Sequence, residues 1–275
     1  MHNVEFRVLG PVEVIRDGAP VVLGRGMLVD LLGALLLSVN RAVQADVLTE
    51  AVWHTRPPVH PRAALHNGIA RLRRIVGGDF LETLPQGYRL RGDADHVDLL
   101  KFDELLTAAG RAGASRDAEA MMSEAIGLWR GRPLWNIESP VLLNTAVPEL
   151  TARYVDACER WAELSLDLGR PDAVVARLTA LAEEHPFREQ LVGQLIMALY
   201  RCGRTADALA AYDTLRRGLS EEMGIDPGAA LQDLYQKILR ADPSLAPGGP
   251  VPEPPPQPPA AVPVPRQLPP DLADF

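Results

Sequence analysis

Residues 64–77 spell ALHNGIARLRRIVG, and the fold prediction starts from this stretch. On a helical repeat, its apolar side chains form one narrow stripe made by Leu65, Ile69, Leu72 and Val76. The rest of the surface is polar and basic, with His66, Asn67, Ala70 and Arg74 opposite the stripe and Arg71 and Arg73 on its flanks. Taken alone, this pattern is typical of an ordinary amphipathic surface helix. The segments on either side favour a more specific interpretation.

The segment before this helix predicts strands followed by two further helices. Residues 4–23 are rich in valine and isoleucine, and the pair Asp17-Gly18 is a hairpin signal. Apolar residues at helical spacing predict a helix over about 27–38 and a second over about 45–53. The three prolines of HTRPPVHP, residues 54–61, exclude a helix there.

The segment after the helix predicts a β-hairpin. Gly77-Gly78 ends the helical pattern, and residues 80–92, FLETLPQGYRLRG, predict two short strands around Pro85-Gln86-Gly87. Strands, three helices and a hairpin follow one another in this order in a winged helix-turn-helix domain, which we predict for residues 1–97. In such a domain the third helix enters the major groove of DNA, and its outer face must reach base edges and phosphates.

The local charge supports DNA binding although the whole chain is acidic. The 275 residues have a net charge of −8, but residues 56–91 hold seven arginines against Asp79 and Glu82, a local net charge of +5. The local field decides where a polyanion can dock. Arginine suits guanine and phosphate through its two parallel donors, and asparagine suits adenine. The hairpin can place Arg89 or Arg91 near the adjoining minor groove or backbone.

The second half of the chain predicts a helical repeat domain, residues 98–243. Residues 166–186 and 199–219 are similar, and their Gly169-Arg170 and Gly203-Arg204 pairs are 34 residues apart, the period of tetratricopeptide repeats. A looser copy covers 115–129, and a helical bundle without repeats is the alternative. Residues 244–275 hold 12 prolines and predict a disordered proline-rich linker or tail. The predicted fold class is therefore mainly α with a small β part.

The chemistry of an enzyme is missing from the sequence. The six histidines show no metal-ligand spacing, and there is no nucleophile elbow or glycine-rich phosphate cradle. We therefore predict no catalytic residue, no cofactor and no metal site. Two cysteines are too few for a disulfide framework, no apolar run is long enough to span a membrane, and no secretory leader is evident. These features predict a cytoplasmic, nucleoid-associated protein.

Several of these segments together resemble the Streptomyces antibiotic regulatory protein (SARP) family of transcriptional activators. The resemblance covers residues 4–242 and rests on phrases along the whole of that span. These phrases are FRVLGPVEV (6–14), ALLLSVNRAVQADVLTEAVW (34–53), ALHNGIARLRRIVG (64–77), LPQGYRL (84–90) and LWRGRPL (128–134). Residues 185–239 are similar to the bacterial transcriptional activation domain that follows the DNA-binding domain in that family.

The resemblance implies partners and site residues. Such proteins bind tandem direct repeats in double-stranded DNA, as a side-by-side homodimer, and recruit RNA polymerase through its sigma factor. They switch on clusters for secondary metabolites, including antibiotics. Carried over by position, the DNA-binding residues are Arg62, His66, Asn67 and Arg74, with Arg71 and Arg73 toward phosphates. The polymerase-contact loop comprises His54, Thr55, Arg56, Val59 and His60.

The chain departs from the family at two positions, and two other functions stay open. Gly68 replaces a bulky tyrosine or histidine, and Met27–Asp30 replaces a polar, basic helix start. Both departures are expected to affect the preferred DNA sequence and the strength of binding. One alternative is a protein-interaction scaffold in which the helical repeats bind a partner. The other is repression by the same fold, since activation and repression differ in where the DNA site lies.

Overall fold

Six short strands form two antiparallel sheets in the part of the chain, residues 4–24, 26–53 and 57–246, that the computed structural model describes. The first sheet has the order β1-β2-β3 and contains β1 (Val4–Arg7), β2 (Glu13–Arg16) and β3 (Ala19–Val21). Asp17 and Gly18 form the β2–β3 turn with φ values of 50° and 79°, the positive values that a two-residue hairpin turn favours. The hairpin predicted at this pair is confirmed.

Three helices and a second sheet follow. The helices are α1 (Met27–Leu36), α2 (Ala45–Trp53) and α3 (Pro61–Val76). The second sheet has the order β4-β6-β5 and contains β4 (Val43–Gln44), β5 (Leu81–Leu84) and β6 (Gly87–Leu90). We call the β5–β6 hairpin together with the following Arg91, residues 81–91, the wing. The predicted winged helix-turn-helix architecture is confirmed.

Two helix boundaries differ from the predicted ones, and one strand was not predicted. Helix α3 begins at Pro61, inside the segment that was excluded from helix, because a proline in the first turn needs no N–H donor and has a helical φ. Helix α1 ends at Leu36 rather than at 38, where turns at Ser38 and Val39 close it. Strand β4 was not predicted, since two residues carry no periodic signal.

The apolar stripe of α3 faces the core as predicted. Leu65, Ile69, Leu72 and Val76 are each at most 1% exposed. Since these side chains hold one face of the helix against α1 and α2, the polar face must point away from the core.

Gly68 lies on the buried side of α3 and not on its exposed polar face. A Cβ at this position would lie 3.0 Å from Met27 Sδ and 3.2 Å from Leu31 Cδ2, both on α1. The two departures from the family pattern, at Gly68 and at Met27, therefore meet in one internal contact. They set how closely α3 approaches α1 and leave the outer face of α3 unchanged.

Seven helices make up the remainder of the described chain. They are α4 (Asp98–Ala112), α5 (Arg116–Gly127), α6 (Pro140–Asp167), α7 (Pro171–Glu184), α8 (Glu189–Arg201), α9 (Thr205–Gly218) and α10 (Ala229–Leu239). Successive helices from α4 to α9 pack on one another. Helix α6 also packs on α8 and on α2.

The predicted helical repeat is visible in the backbone. Gly169 and Gly203 end α6 and α8 with φ values of 71° and 76°. The residue after each glycine donates its N–H to a carbonyl oxygen five residues back, at 2.8 and 2.9 Å. Gly113, with a φ of 65°, caps α4 just before the looser copy. The residue five positions after each glycine is fully buried, namely Ala118, Val174 and Ala208.

The segment between α5 and α6, residues 128–139, joins the helical part to the winged helix. We call it the connecting segment. Its Arg130 N–H donates to the Leu9 carbonyl at 2.8 Å, and Leu134 N–H donates to the Gly10 carbonyl at 2.6 Å. Asn136 pairs with both the N–H and the carbonyl of Val12, at 2.7 and 3.0 Å. These hydrogen bonds to Leu9, Gly10 and Val12 hold the connecting segment against the winged helix.

Candidate nucleic-acid interface

The outer face of α3 is built from exposed polar side chains. Arg62, His66, Asn67, Arg71 and Arg74 are all exposed, as the predicted helix face requires. Among the described residues, Arg74 bonds its own helix alone, through Nε and the Ala70 carbonyl at 3.4 Å. Within the described ranges, neither Arg62 nor Arg71 has a hydrogen-bond or ion-pair partner. These donors are available to an outside acceptor.

Two of the predicted DNA-binding arginines are instead engaged within the winged helix. Arg73 is half-buried and donates to the Leu81 carbonyl at 3.0 Å and to Thr83 Oγ1 at 2.5 Å. Arg89 donates through Nε and Nη2 to one oxygen of Glu82, at 3.0 and 2.8 Å. The wing arginine that remains exposed is Arg91. The predicted residues therefore lie together on α3 and the wing. Some of their side chains are exposed, whereas Arg73 and Arg89 are hydrogen-bonded to other residues of the winged helix.

The position of the wing depends on a close backbone approach at Gly87. This glycine pairs with Gln44 of β4, and a Cβ on it would lie 1.9 Å from the Val43 carbonyl oxygen. Ala45 N–H also donates to the Gln86 carbonyl at 3.1 Å. Strand β4 therefore fastens the wing to the start of α2, and only glycine fits at this crossing.

The loop between α2 and α3 borders a groove. The predicted loop residues His54, Thr55 and Arg56 lie outside the described residues. Val59 is 90% exposed, and His60 directly precedes α3. The groove, of about 760 Å³, is lined by residues of α2, the loop and the first turn of α3. Its lining includes Trp53, Val59 and the carboxylates Asp46 and Glu50.

Two buried carboxylates, which sequence reasoning missed, join the winged helix to the helical part of the chain. Asp98 accepts hydrogen bonds from the N–H groups of Val8 and Leu9, at 2.8 and 3.1 Å, and from Arg130 Nη1 at 3.0 Å. Burial raises the pKa of the Asp98 carboxyl, and these hydrogen bonds oppose the rise. Asp30 on α1 accepts from the Glu138 N–H at 2.9 Å, and burial also raises its pKa. The family phrase LWRGRPL contains Arg130 and marks the segment as significant. The sequence alone does not show that Arg130 binds Asp98.

Several other observations bear on the predicted chemistry. Within the described ranges, no group of three histidines, cysteines or carboxylates comes together as a metal-binding cluster. In the same part of the chain, no helix combines the length and the apolar character needed to cross a membrane. Cys158 and Cys202 are free thiols, and burial raises the pKa of Cys158 to about 11.

Comparisons with known proteins agree with this architecture. A family model for the bacterial transcriptional activator domain matches residues 97–239. The regulatory protein AfsR of Streptomyces coelicolor is 38% identical over 247 residues, which cover 88% of this chain and 25% of AfsR. The regulatory protein DnrI of Streptomyces peucetius is 31% identical, over 90% of this chain and 96% of DnrI. This chain therefore spans about a quarter of AfsR and nearly all of DnrI.

A solved structure shows the same fold. It is that of Mycobacterium tuberculosis EmbR in complex with a low affinity phosphopeptide. The TM-score is 0.81 at 35% sequence identity, over 88% of this chain and 66% of that chain.

The fold and these matches define a class, the winged-helix transcriptional regulators that carry a bacterial transcriptional activator domain. Within that class, this chain belongs to the SARP family. Its relatives are transcriptional regulators and activators.

Proposed function

We propose that this protein binds double-stranded DNA at promoters through α3 and the wing and activates transcription there. The observation that carries the proposal is the outer face of α3. In the described ranges its exposed arginines make no bond outside their own helix, and they lie in a region with a net charge of +5. A solvated helix face needs no such concentration of arginine, whereas a helix that enters the major groove does.

Each exposed side chain has a separate role in this proposal. Arg62, His66, Asn67 and Arg74 face base edges in the major groove, and Arg71 contacts phosphate. Arg91 on the wing reaches the adjoining minor groove or backbone. Because phosphate contacts release counterions, the affinity falls steeply with salt concentration.

The protein acts as a pair on tandem direct repeats. Sites about one helical turn apart, ~10 base pairs, place both copies on one side of the duplex. Fluorescence titration of DNA with one and with two repeats measures this directly, because the two-repeat DNA should bind two copies with higher affinity per copy.

The groove beside the α2–α3 loop is the proposed contact with RNA polymerase and its sigma factor. Its apolar side chains, Trp53 and Val59, lie beside carboxylates of α2. An amphipathic helix with basic flanks fits such a surface. The loop residues His54, Thr55, Arg56 and His60 belong to the same proposed contact. Membership of the SARP family supports a secondary-metabolite cluster as the target.

Replacing Arg74 by alanine should weaken binding to the operator by about 1–3 kcal/mol, because a base contact in the major groove is lost. The measurement is a gel-shift titration with DNA from upstream of the protein's own gene neighbourhood, at low and at moderate salt. Arg217→Ala in α9 is the matched control, since it removes the same charge from a remote exposed helix face. Equal affinity of the Arg74 variant and the parent protein would remove Arg74 from the contact.

Replacing Val59 by aspartate should reduce promoter-specific transcription in a reconstituted assay severalfold while leaving DNA affinity unchanged. A carboxylate there disrupts the apolar contact, because the charged group would have to lose its water when the partner helix covers it. Val22→Asp is the control, because Val22 is also 90% exposed but lies beside β3. If both variants activate like the parent protein, the loop is not the polymerase contact.

A second candidate function is a protein-interaction scaffold. A largely apolar groove of about 590 Å³ between α6, α8 and α10, lined by Leu166, Met197, Leu231 and Leu234, favours it. Absence of any salt-sensitive, sequence-selective DNA shift, with co-purification of a partner protein, would favour the scaffold. Repression by the same DNA-binding surface would appear in the transcription assay as a decrease on adding the parent protein.

A further inference from the structure

Helix α3 carries three arginines within four residues, and their surroundings differ. Arg71 and Arg74 are exposed, and Arg71 has no partner among the described residues. Arg73 is half-buried, and its guanidinium is bonded to two acceptors of the wing. The three arginines carry the same charge, but their different surroundings indicate different roles.

The acceptors of Arg73 lie on a single strand. Nε donates to the main-chain carbonyl of Leu81 at 3.0 Å, and Nη2 donates to the hydroxyl of Thr83 at 2.5 Å. Both residues belong to β5, the first strand of the wing. A guanidinium is planar and its N–H donors have fixed directions. Two hydrogen bonds from the same guanidinium therefore set both the distance and the angle between α3 and β5.

Strand β5, which accepts the hydrogen bonds of Arg73, is itself held in place by an ion pair and by the core. Glu82, between the two acceptors, is paired across the hairpin with Arg89, which holds it at 2.8 and 3.0 Å. Leu81 is 2% exposed, so its end of β5 lies in the core. A displacement of the Arg73 guanidinium would therefore move the whole hairpin rather than one side chain.

We infer that Arg73 is a positioning residue that fixes the wing to the recognition helix and does not deliver its charge to a phosphate. The inference rests on the proposed function, because the object positioned is the DNA interface. It leaves Arg91 as the basic side chain through which the wing approaches DNA, since Arg89 is bound to Glu82.

The first test uses substitutions that keep the charge. The affinities of the full chain, Arg73→Lys and Arg71→Lys for operator DNA are measured by fluorescence anisotropy across a salt series. Lysine cannot reach both acceptors at once, so Arg73→Lys should bind about tenfold more weakly at every salt concentration, with the same salt slope. Arg71→Lys keeps a cation within reach of the phosphate that Arg71 is proposed to contact, so it should weaken binding by no more than about twofold. Equal small effects of both variants would overturn the inference.

The second test removes an acceptor without touching any charge. Thr83→Val should lower the affinity severalfold, and it should add nothing further to Arg73→Lys, because both changes break the same link. Thr83 is exposed, so the variant is expected to fold. Additive losses from Thr83→Val and Arg73→Lys, or tighter binding by Thr83→Val, would mean that Arg73 contacts DNA rather than the wing.

Hydrogen exchange without DNA separates this inference from the proposed function. Arg73→Lys should speed amide exchange over residues 81–90, and Arg71→Lys should leave it unchanged. If the parent protein binds no DNA selectively, the proposed function fails while the exchange result still stands. If the parent protein binds DNA selectively but amide exchange in the wing is the same in all variants, the positioning role of Arg73 is wrong and the proposed function stands.

Discussion

Replacing Gly87 by alanine is expected to separate the wing from β4 and to lower the free energy of unfolding by about 3 kcal/mol. The added Cβ would lie 1.9 Å from the Val43 carbonyl oxygen and 2.8 Å from the Val43 carbonyl carbon. Both are main-chain atoms, so no side-chain rotation can relieve the overlap. Strand β4 must move away, which breaks the pairing that fastens the wing to the start of α2.

Urea unfolding followed by circular dichroism measures this loss, with Gly78→Ala as the control. Gly78 lies just before β5, and a Cβ on it meets no other atom within 4 Å. Its substitution should change stability by no more than about 0.5 kcal/mol. Under the proposed function, DNA affinity should fall for the Gly87 variant and persist for the Gly78 variant. Equal unfolding midpoints of the two variants would contradict the close approach of the two backbones.

Replacing Asp98 by alanine is expected to lower the free energy of unfolding by about 3 kcal/mol. The change leaves the N–H groups of Val8 and Leu9 and one donor of Arg130 without their carboxylate acceptor. The Asp98 side chain is 7% exposed, so water cannot easily replace it. Because this carboxylate on α4 binds the two residues that follow β1 and also the connecting segment, its loss should loosen the junction between the winged helix and the helical part.

Differential scanning calorimetry tests this prediction, with Asp95→Ala as the control. Asp95 is exposed and lies three residues earlier in the chain, so its removal should shift the transition little. Separate melting of the two parts in the Asp98 variant would identify the junction as the lost contact. A transition as high as that of the parent protein would mean that the Asp98 hydrogen bonds add nothing to stability.

Much of the fold follows from periodicity in the sequence. The stripe of α3, the Asp17-Gly18 hairpin and the 34-residue repeat were predictable, because each depends on residues close together in the chain. Local periodicity decides which face of a helix is apolar, whatever that face packs against. The exposed positions on α3 were predictable for the same reason.

The roles of individual charges were not predictable in this way. Arg71, Arg73 and Arg74 are the same residue type on one helix, but only Arg73 meets Leu81 and Thr83, and that depends on how the wing folds back. The family pattern marks Gly68 as a departure, but only the fold shows that it lies on the buried side of α3 against α1.

The sequence by itself determined the order of elements, the repeat and the basic outer face of α3, because these follow from spacing along the chain. The tertiary structure alone decided which arginines remain available, where the wing sits and how the two parts of the chain are joined. Those features depend on pairs such as Asp98 with Arg130 and Gly87 with Val43, which are 32 and 44 residues apart. Contacts between residues so far apart in the chain produce no periodic pattern in the sequence. Their geometry is determined only when the core packs.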